Sequence, residues 1–193
     1  MKRVCVYCGS NPGNDERYAA ATVALADALV AADHGLVYGG ASVGLMGLVA
    51  DTALAAGGEV IGVIPDDLVK REIAHEGLTK LHVVDTMTER KILMADLSDA
   101  FVALPGGFGT LDELFEVLTW SQLGIHAKPA GLLDVAGFWS QLAGFLDHAV
   151  TAGFLRPQHR AMLLVDDDPV RLLDRLAAWV PPTVTKWVDP DDR

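Results

Sequence analysis

The chain has 193 residues, 51% of them hydrophobic, and a formal net charge of −11 with an isoelectric point near 4.8. That length and apolar share suffice for a buried core and exclude disorder, while no apolar run reaches the ~18 residues of a membrane span. The acidic balance argues against nucleic-acid binding, which needs a basic face, so an anionic ligand has to be held locally, by helix N-termini and a few placed cations.

Lys2-Arg3 ahead of Val4-Cys5-Val6-Tyr7 is too short an apolar run for a signal peptide, and a cytoplasmic location is expected. Lys2 to Cys8 reads as a strand and Gly9-Ser10-Asn11-Pro12-Gly13 as a turn. Cys5-x-x-Cys8 has redox spacing, but a reactive pair belongs at a helix start. At the end of a strand, residues three apart point to opposite faces, so two reduced, buried thiols are expected. Asp15 to Ala32 is an alanine-rich helix closed by Gly35, followed by the strand Leu36-Val37-Tyr38. Gly39-Gly40-Ala41-Ser42-Val43-Gly44 then leads into a helix ending at Ala56. Val60 to Ile64 is a strand stopped by Pro65, and a short helical piece with Glu72 precedes the strand Leu81-His82-Val83-Val84. Thr86-x-x-Glu89 caps a helix carrying Arg90 and Lys91. Ala100 to Leu104 is the next strand; Ala130–Leu133 and Ala161–Val165 are two more, with helices near 137–152 and 169–179. The stretch 1–180 reads as a single domain, and 181–193 as a polar, acidic, loosely held tail.

Strand and helix alternate throughout, and the strands are short continuous apolar runs. That pattern predicts an α/β protein, a doubly wound parallel sheet with helices on both faces. Ligands bind beyond the carboxyl ends of such strands, and the glycine-rich turns after Cys8, Tyr38 and Leu104 all lie there.

The third of these turns, Leu104-Pro105-Gly106-Gly107-Phe108-Gly109-Thr110-Leu111-Asp112-Glu113, carries the most chemistry. Its glycines leave no side chain between backbone N–H groups and an anion, and the following helix aims its N-terminus at the same spot. Glu113 is expected one turn into that helix, roughly 5 Å along it. A phosphate cradle with a carboxylate one turn away suggests chemistry on the sugar of a nucleotide. Thr110-x-x-Glu113 is equally the spacing of a capping box. Leu111, Leu114, Phe115 and Leu118 form the expected core face, whereas Glu113, Glu116 and Trp120 form a stripe suited to a cleft wall or a subunit contact. The segment from Gly39 to Gly44 lacks the lysine of a P-loop, and no acidic residue closes the second strand as in a dinucleotide site. Gly44 and Gly47 are also explained by close packing of helix on sheet. The six histidines show no ligand spacing, and no metal site is expected.

Tyr38-Gly39-Gly40 through Gly44-Leu45-Met46-Gly47, Met87-x-x-Arg90-Lys91, Pro105-Gly106-Gly107-x-Gly109-Thr110-x-x-Glu113 and Thr119-Trp120-x-Gln122-Leu123-Gly124-x-His126 together resemble the LONELY GUY family. Its members are cytokinin riboside 5'-monophosphate phosphoribohydrolases, often mislabelled lysine decarboxylases. The resemblance runs from Cys8-Gly9-Ser10 to Gly153-Phe154. It implies a Rossmann-like fold, a homodimer with sites near the subunit contact, no cofactor, and hydrolysis of the bond between base and ribose 5'-phosphate in AMP or prenylated AMP. Arg90 and Glu113 fall on the family's catalytic positions. Glu72, Lys91, Thr119 and the loop Gly106, Gly107, Gly109 and Thr110 fall on substrate-contact positions, and Gly9, Ser10 and Gly40 are expected beside them. Ala41, where many members have a third glycine, and Ala74-His75-Glu76 depart from the pattern; the second leaves the preferred base substituent open. A non-catalytic nucleotide carrier or sensor of the same fold is the alternative function.

Overall fold

The structure, a computed structural model, describes residues 1–69 and 74–182. Among these residues seven strands form one sheet: β1 (Arg3–Tyr7), β2 (Gly35–Tyr38), β3 (Val60–Pro65), β4 (Lys80–Val84), β5 (Ala100–Ala103), β6 (Ala130–Leu133) and β7 (Leu163–Asp166). Their spatial order is β4-β3-β2-β1-β5-β6-β7, and every neighbouring pair runs parallel. The chain therefore winds outward from β1 in one direction, returns, and winds outward in the other. Helices α1 (Glu16–Ala31), α2 (Gly44–Ala55), α3 (Asp66–Val69), α4 (Met87–Asp96), α5 (Phe108–Gln122), α6 (Ser140–Thr151), α7 (Pro157–Arg160) and α8 (Pro169–Ala177) make the connections and close the chain. Among the described residues no helix is long and apolar enough to cross a membrane.

Strand alternation divides the core in two. Val4, Val6 and Cys8 pack with Leu25, Leu29, Val49 and Leu172 on one face, and Cys5 and Tyr7 with Met94, Leu114, Val117 and Trp139 on the other. The cysteines accordingly sit on opposite faces as free, buried thiols, and burial pushes both thiol pKa values up.

Local signals set most boundaries. Asp15 caps α1 by accepting from the Arg17 N–H, and Asp168 caps α8 ahead of Pro169 at the first helical position. Thr86 caps α4 by accepting from the Glu89 N–H, while the Glu89 carboxylate reaches back to the Asp85 N–H at 3.0 Å. β7 runs Leu163–Asp166, two residues later at its start than the sequence suggests, because α7, not anticipated, occupies Pro157–Arg160. The core face of α5 is Thr110, Leu114 and Val117, with Leu111 and Leu118 at its shoulders. Phe115, expected in the core, faces outward beside Phe108 and Thr119. Trp120, expected on a polar stripe, packs against the core instead.

Candidate active site

Beyond the carboxyl ends of β1, β2 and β5 lies a cleft of about 450 Å³. It opens where the winding reverses between β1 and β5, the place at which an open parallel sheet leaves room for a ligand. The turns after these strands touch: the Gly9 N–H donates to the Pro105 carbonyl at 3.1 Å. A Cβ on Gly106 would overlap Thr110 and stand 3.0 Å from the Gly9 nitrogen, so only glycine lets the two loops meet. Gly107 and Gly109, by contrast, have no atom within 4 Å of where a Cβ would be. Their backbones border open space.

Helix α5 begins at Phe108 behind Gly107, an N-cap with no side chain to offer its donors. The first turn of a helix presents unpaired N–H groups and the positive end of its dipole, so this terminus suits an oxyanion. The same start removes the capping-box explanation of Glu113. Thr110 is the third helical residue and is buried, and Glu113 stands six residues past the N-cap, about 9 Å along the axis rather than 5 Å. A capping pair needs its hydroxyl at the N-cap and its acid three residues on. The N-terminus of α2 is occupied differently: the Leu45 N–H donates to the Gly9 carbonyl at 3.1 Å. Gly44 (φ +58°) and Gly47 have no room for a Cβ, which would run into the backbone of Ser10 and Ser42. They do serve close packing, against turns rather than the sheet.

Glu113 and Arg90 meet in the cleft. Their side chains are 13% and 8% exposed, and Arg90 Nη1 stands 3.6 Å from Glu113 Oε1, an ion pair too long for a hydrogen bond. Burial pushes the Glu113 carboxyl up to about 7; Arg90 and Lys91 pull it down, while Asp112 and Glu116 add to the rise. Arg90 is anchored by backbone: Nε donates to the Val63 carbonyl and Nη2 to the Gly39 carbonyl, both at 3.0 Å. Thr86, by capping α4, starts the turn that carries it.

Gly9, Ser10, Gly106, Gly107, Gly109 and Thr110 line the same cleft as Arg90 and Glu113. Three expected contacts fall elsewhere. Gly40 (φ +78°) packs against β3 and accepts the His75 N–H on its carbonyl, and its neighbour Gly39 faces the cleft instead. Lys91 bridges α4 to α5, with Nζ 3.1 Å from both Asp112 and Glu116. Thr119 lies on the outer face of α5, its hydroxyl donating to the Phe115 carbonyl. Glu72 lies outside the described residues. Sequence reasoning missed the apolar walls: Tyr18 and Phe138, in edge-to-face contact at 5.8 Å, and Met46, Leu68 and Met87. Each looks like an ordinary core residue until the fold brings it to the cleft.

The all-parallel order with its reversal at β1 defines a Rossmann-like α/β protein, and its cleft brings an open helix N-terminus together with a carboxylate and a guanidinium. Residues 46–176 match the family model described as possible lysine decarboxylase. The probable cytokinin riboside 5'-monophosphate phosphoribohydrolase LOGL9 of Oryza sativa subsp. japonica is 50% identical over 181 residues, 94% of this chain and 80% of that protein. The cytokinin riboside 5'-monophosphate phosphoribohydrolase LOG1 of Arabidopsis thaliana is 48% identical over 181 residues, 94% of this chain and 85% of that one. The chain belongs to this family, LONELY GUY. Among solved structures, the molybdenum cofactor carrier protein of Chlamydomonas reinhardtii superposes with a TM-score of 0.71 at 22% identity, covering 93% of this chain and 99% of that one. DNA processing protein A of Streptococcus pneumoniae superposes at 0.60 with 12% identity, over 91% of this chain and 62% of that one. At those identities the likeness is one of fold.

Proposed function

We propose that the protein hydrolyses the N-glycosidic bond of adenosine 5'-monophosphates, N6-substituted ones included, to free base and ribose 5-phosphate. One observation carries the reading: a buried carboxylate, Glu113, poised near neutrality between an open helix N-terminus and a backbone-anchored guanidinium. The names of the relatives at about half identity point to the same reaction. The 5'-phosphate sits on the N-terminus of α5, which leaves the ribose alongside the following turns, where Glu113 is. As the bond from sugar to base breaks, positive charge develops on the ribose. The Glu113 carboxylate stabilises that charge and orients the water whose oxygen replaces the base. Arg90 is held by the Val63 carbonyl of β3 and the Gly39 carbonyl just after β2, whereas the N-terminus of α5 follows β5, two strands along from β2. In this reading the Arg90 charge assists the departing base rather than clamping the phosphate.

Lysine decarboxylation would need pyridoxal phosphate on a Schiff-base lysine. Among the described residues no lysine lines the cleft: Lys91 is paired with Asp112 and Glu116, and Lys128 donates to the Ala95 carbonyl. A carrier or sensor would keep the cradle but have no use for a carboxylate held near pH 7.

The reading extends to a homodimer. α6 exposes Phe145 while its Leu142 and Leu146 pack against the core, and α5 exposes Phe108, with Phe115 half-buried on its outer face. A second copy covering these faces brings Thr119 and Lys91 next to a subunit contact. The unit acting in this way spans 1–180.

The test is to incubate the protein, in EDTA, with AMP, isopentenyl-AMP and adenosine, and to follow free base and ribose 5-phosphate. Both monophosphates are expected to release base and adenosine to remain nearly untouched, because phosphate binding drives the reaction at the sugar. Equal turnover of adenosine removes the role of the α5 cradle, and no release from either monophosphate favours the carrier.

A further inference from the structure

Arg90 is a side chain of α4, yet what holds it belongs to two other elements. Nε donates to the carbonyl of Val63 in β3, and Nη2 to the carbonyl of Gly39, the residue that follows β2. A guanidinium is a rigid planar fork. With two corners tied to backbone it cannot pivot, and its third corner, Nη1, is left beside Met87 Sδ at 3.4 Å and Glu113 Oε1 at 3.6 Å.

Gly39 does more than accept one bond. A Cβ there would overlap Nη2 of Arg90 and stand 3.2 Å from its Cζ and 3.1 Å from Met46 Sδ. Its backbone does not require glycine, since Gly39 is not among the glycines with positive φ, whereas Gly40 and Gly44 are. The atoms that a methyl group would displace are side-chain ends, not main chain. The fold can therefore accept alanine at 39; the seat of the guanidinium cannot.

We propose that Gly39 is a positioning residue for Arg90: its carbonyl and its missing side chain together set where the guanidinium points, and so the surroundings of Glu113. The proposal rests on the roles given above to Arg90 and Glu113, but the geometry can be read without turnover.

The experiment compares wild type, Gly39→Ala, Arg90→Ala and the double variant, with two readouts. One is the titration of the Glu113 carboxyl by carbon-13 NMR, assigned with Glu113→Gln; the other is kcat and KM on AMP. The charged groups bearing on Glu113 are Arg90, Lys91, Asp112 and Glu116, with the neutral Cys5, Tyr7 and Cys8 side chains of β1 and its following turn nearby. All except Arg90 are unchanged across the set. Arg90 holds the Glu113 titration down, so moving it away raises the midpoint.

Gly39→Ala is expected to fold, to titrate above wild type and toward Arg90→Ala, and to lose on the order of 100-fold in kcat, the scale of a lost preorganised charge. The double variant is expected to match Arg90→Ala in both readouts, because two residues acting as one unit are not additive. A wild-type midpoint in Gly39→Ala overturns the proposal, and so do losses that multiply in the double variant. If Gly39→Ala fails to fold, a folded double variant still shows that the guanidinium is what alanine displaces; failure of both overturns the proposal. If no protein in the set hydrolyses AMP, the proposed reaction fails while the titration still decides the seat of Arg90.

Discussion

Burying a carboxyl group is unfavourable when, as for Glu113 among the described residues, no hydrogen-bonded partner lies close, and that cost shows in a titration near 7 against a usual 4.5. Its folded pKa is raised, so the neutral form costs nothing below about 4.5. The penalty of the buried charge grows as pH rises and is complete above about 7. The two values correspond to roughly 3 kcal/mol. Glu113→Gln, which has no charge to bury, is therefore expected to melt higher than wild type at pH 8 and at about the same temperature at pH 4. Its turnover of AMP is expected to fall at least ~100-fold, with nucleotide binding retained. The wild-type rate should climb with pH through a midpoint near 7, as the active carboxylate forms, and the limb should vanish in the variant. Wild-type turnover in Glu113→Gln would return the search to Glu116. That an acid follows the glycine loop is plain in the sequence. That it stands beside Arg90, 23 positions earlier in the chain, follows only from where α4 and α5 are set on the sheet.

At the scale of elements, α5 is an N-terminus without a cap. Glycine at the N-cap is only a few tenths of a kcal/mol poorer than aspartate or serine, and a Cβ at Gly107 meets no atom within 4 Å. Gly107→Asp is thus expected to leave the melting temperature of the ligand-free protein unchanged or slightly raised. It places a carboxylate at the proposed phosphate seat, so KM for AMP should rise at least ~10-fold and the thermal shift on adding AMP should shrink. A normal KM would move the phosphate away from this terminus. The contrast with α4 is instructive. Thr86 caps α4 and Glu89 reaches back to the N–H just before that cap, whereas the Thr-x-x-Glu at 110 cannot cap, because α5 has already begun two residues before Thr110. The spacing is the same in both; the backbone trajectory out of β5 separates them.

At the scale of the whole molecule, the proposed second copy would cover the exposed Phe108 of α5 and Phe145 of α6. Wild type is expected to sediment at twice the 20.5 kDa chain mass, and Phe145→Glu, on the exposed side of α6, to sediment as a monomer with lowered turnover. A monomeric wild type would leave Thr119 and Lys91 without a role near the site.

The sequence by itself determined the alternation of strands and helices, apart from the short α7, and the parallel sheet, since these follow from short-range patterns: apolar runs, helical periodicity and glycine turns. It also contained the cradle and its acid, contiguous between 104 and 113. Tertiary structure alone decided that Gly39 rather than Gly40 faces the cleft, that Val63 and Gly39 seat Arg90, that Lys91 is absorbed by Asp112 and Glu116, and that Phe115 faces away from the core. Each depends on which elements become neighbours across the sheet. Burial and paired charge depend on those neighbours, and residues far apart in the chain become neighbours only once the strands have taken their order.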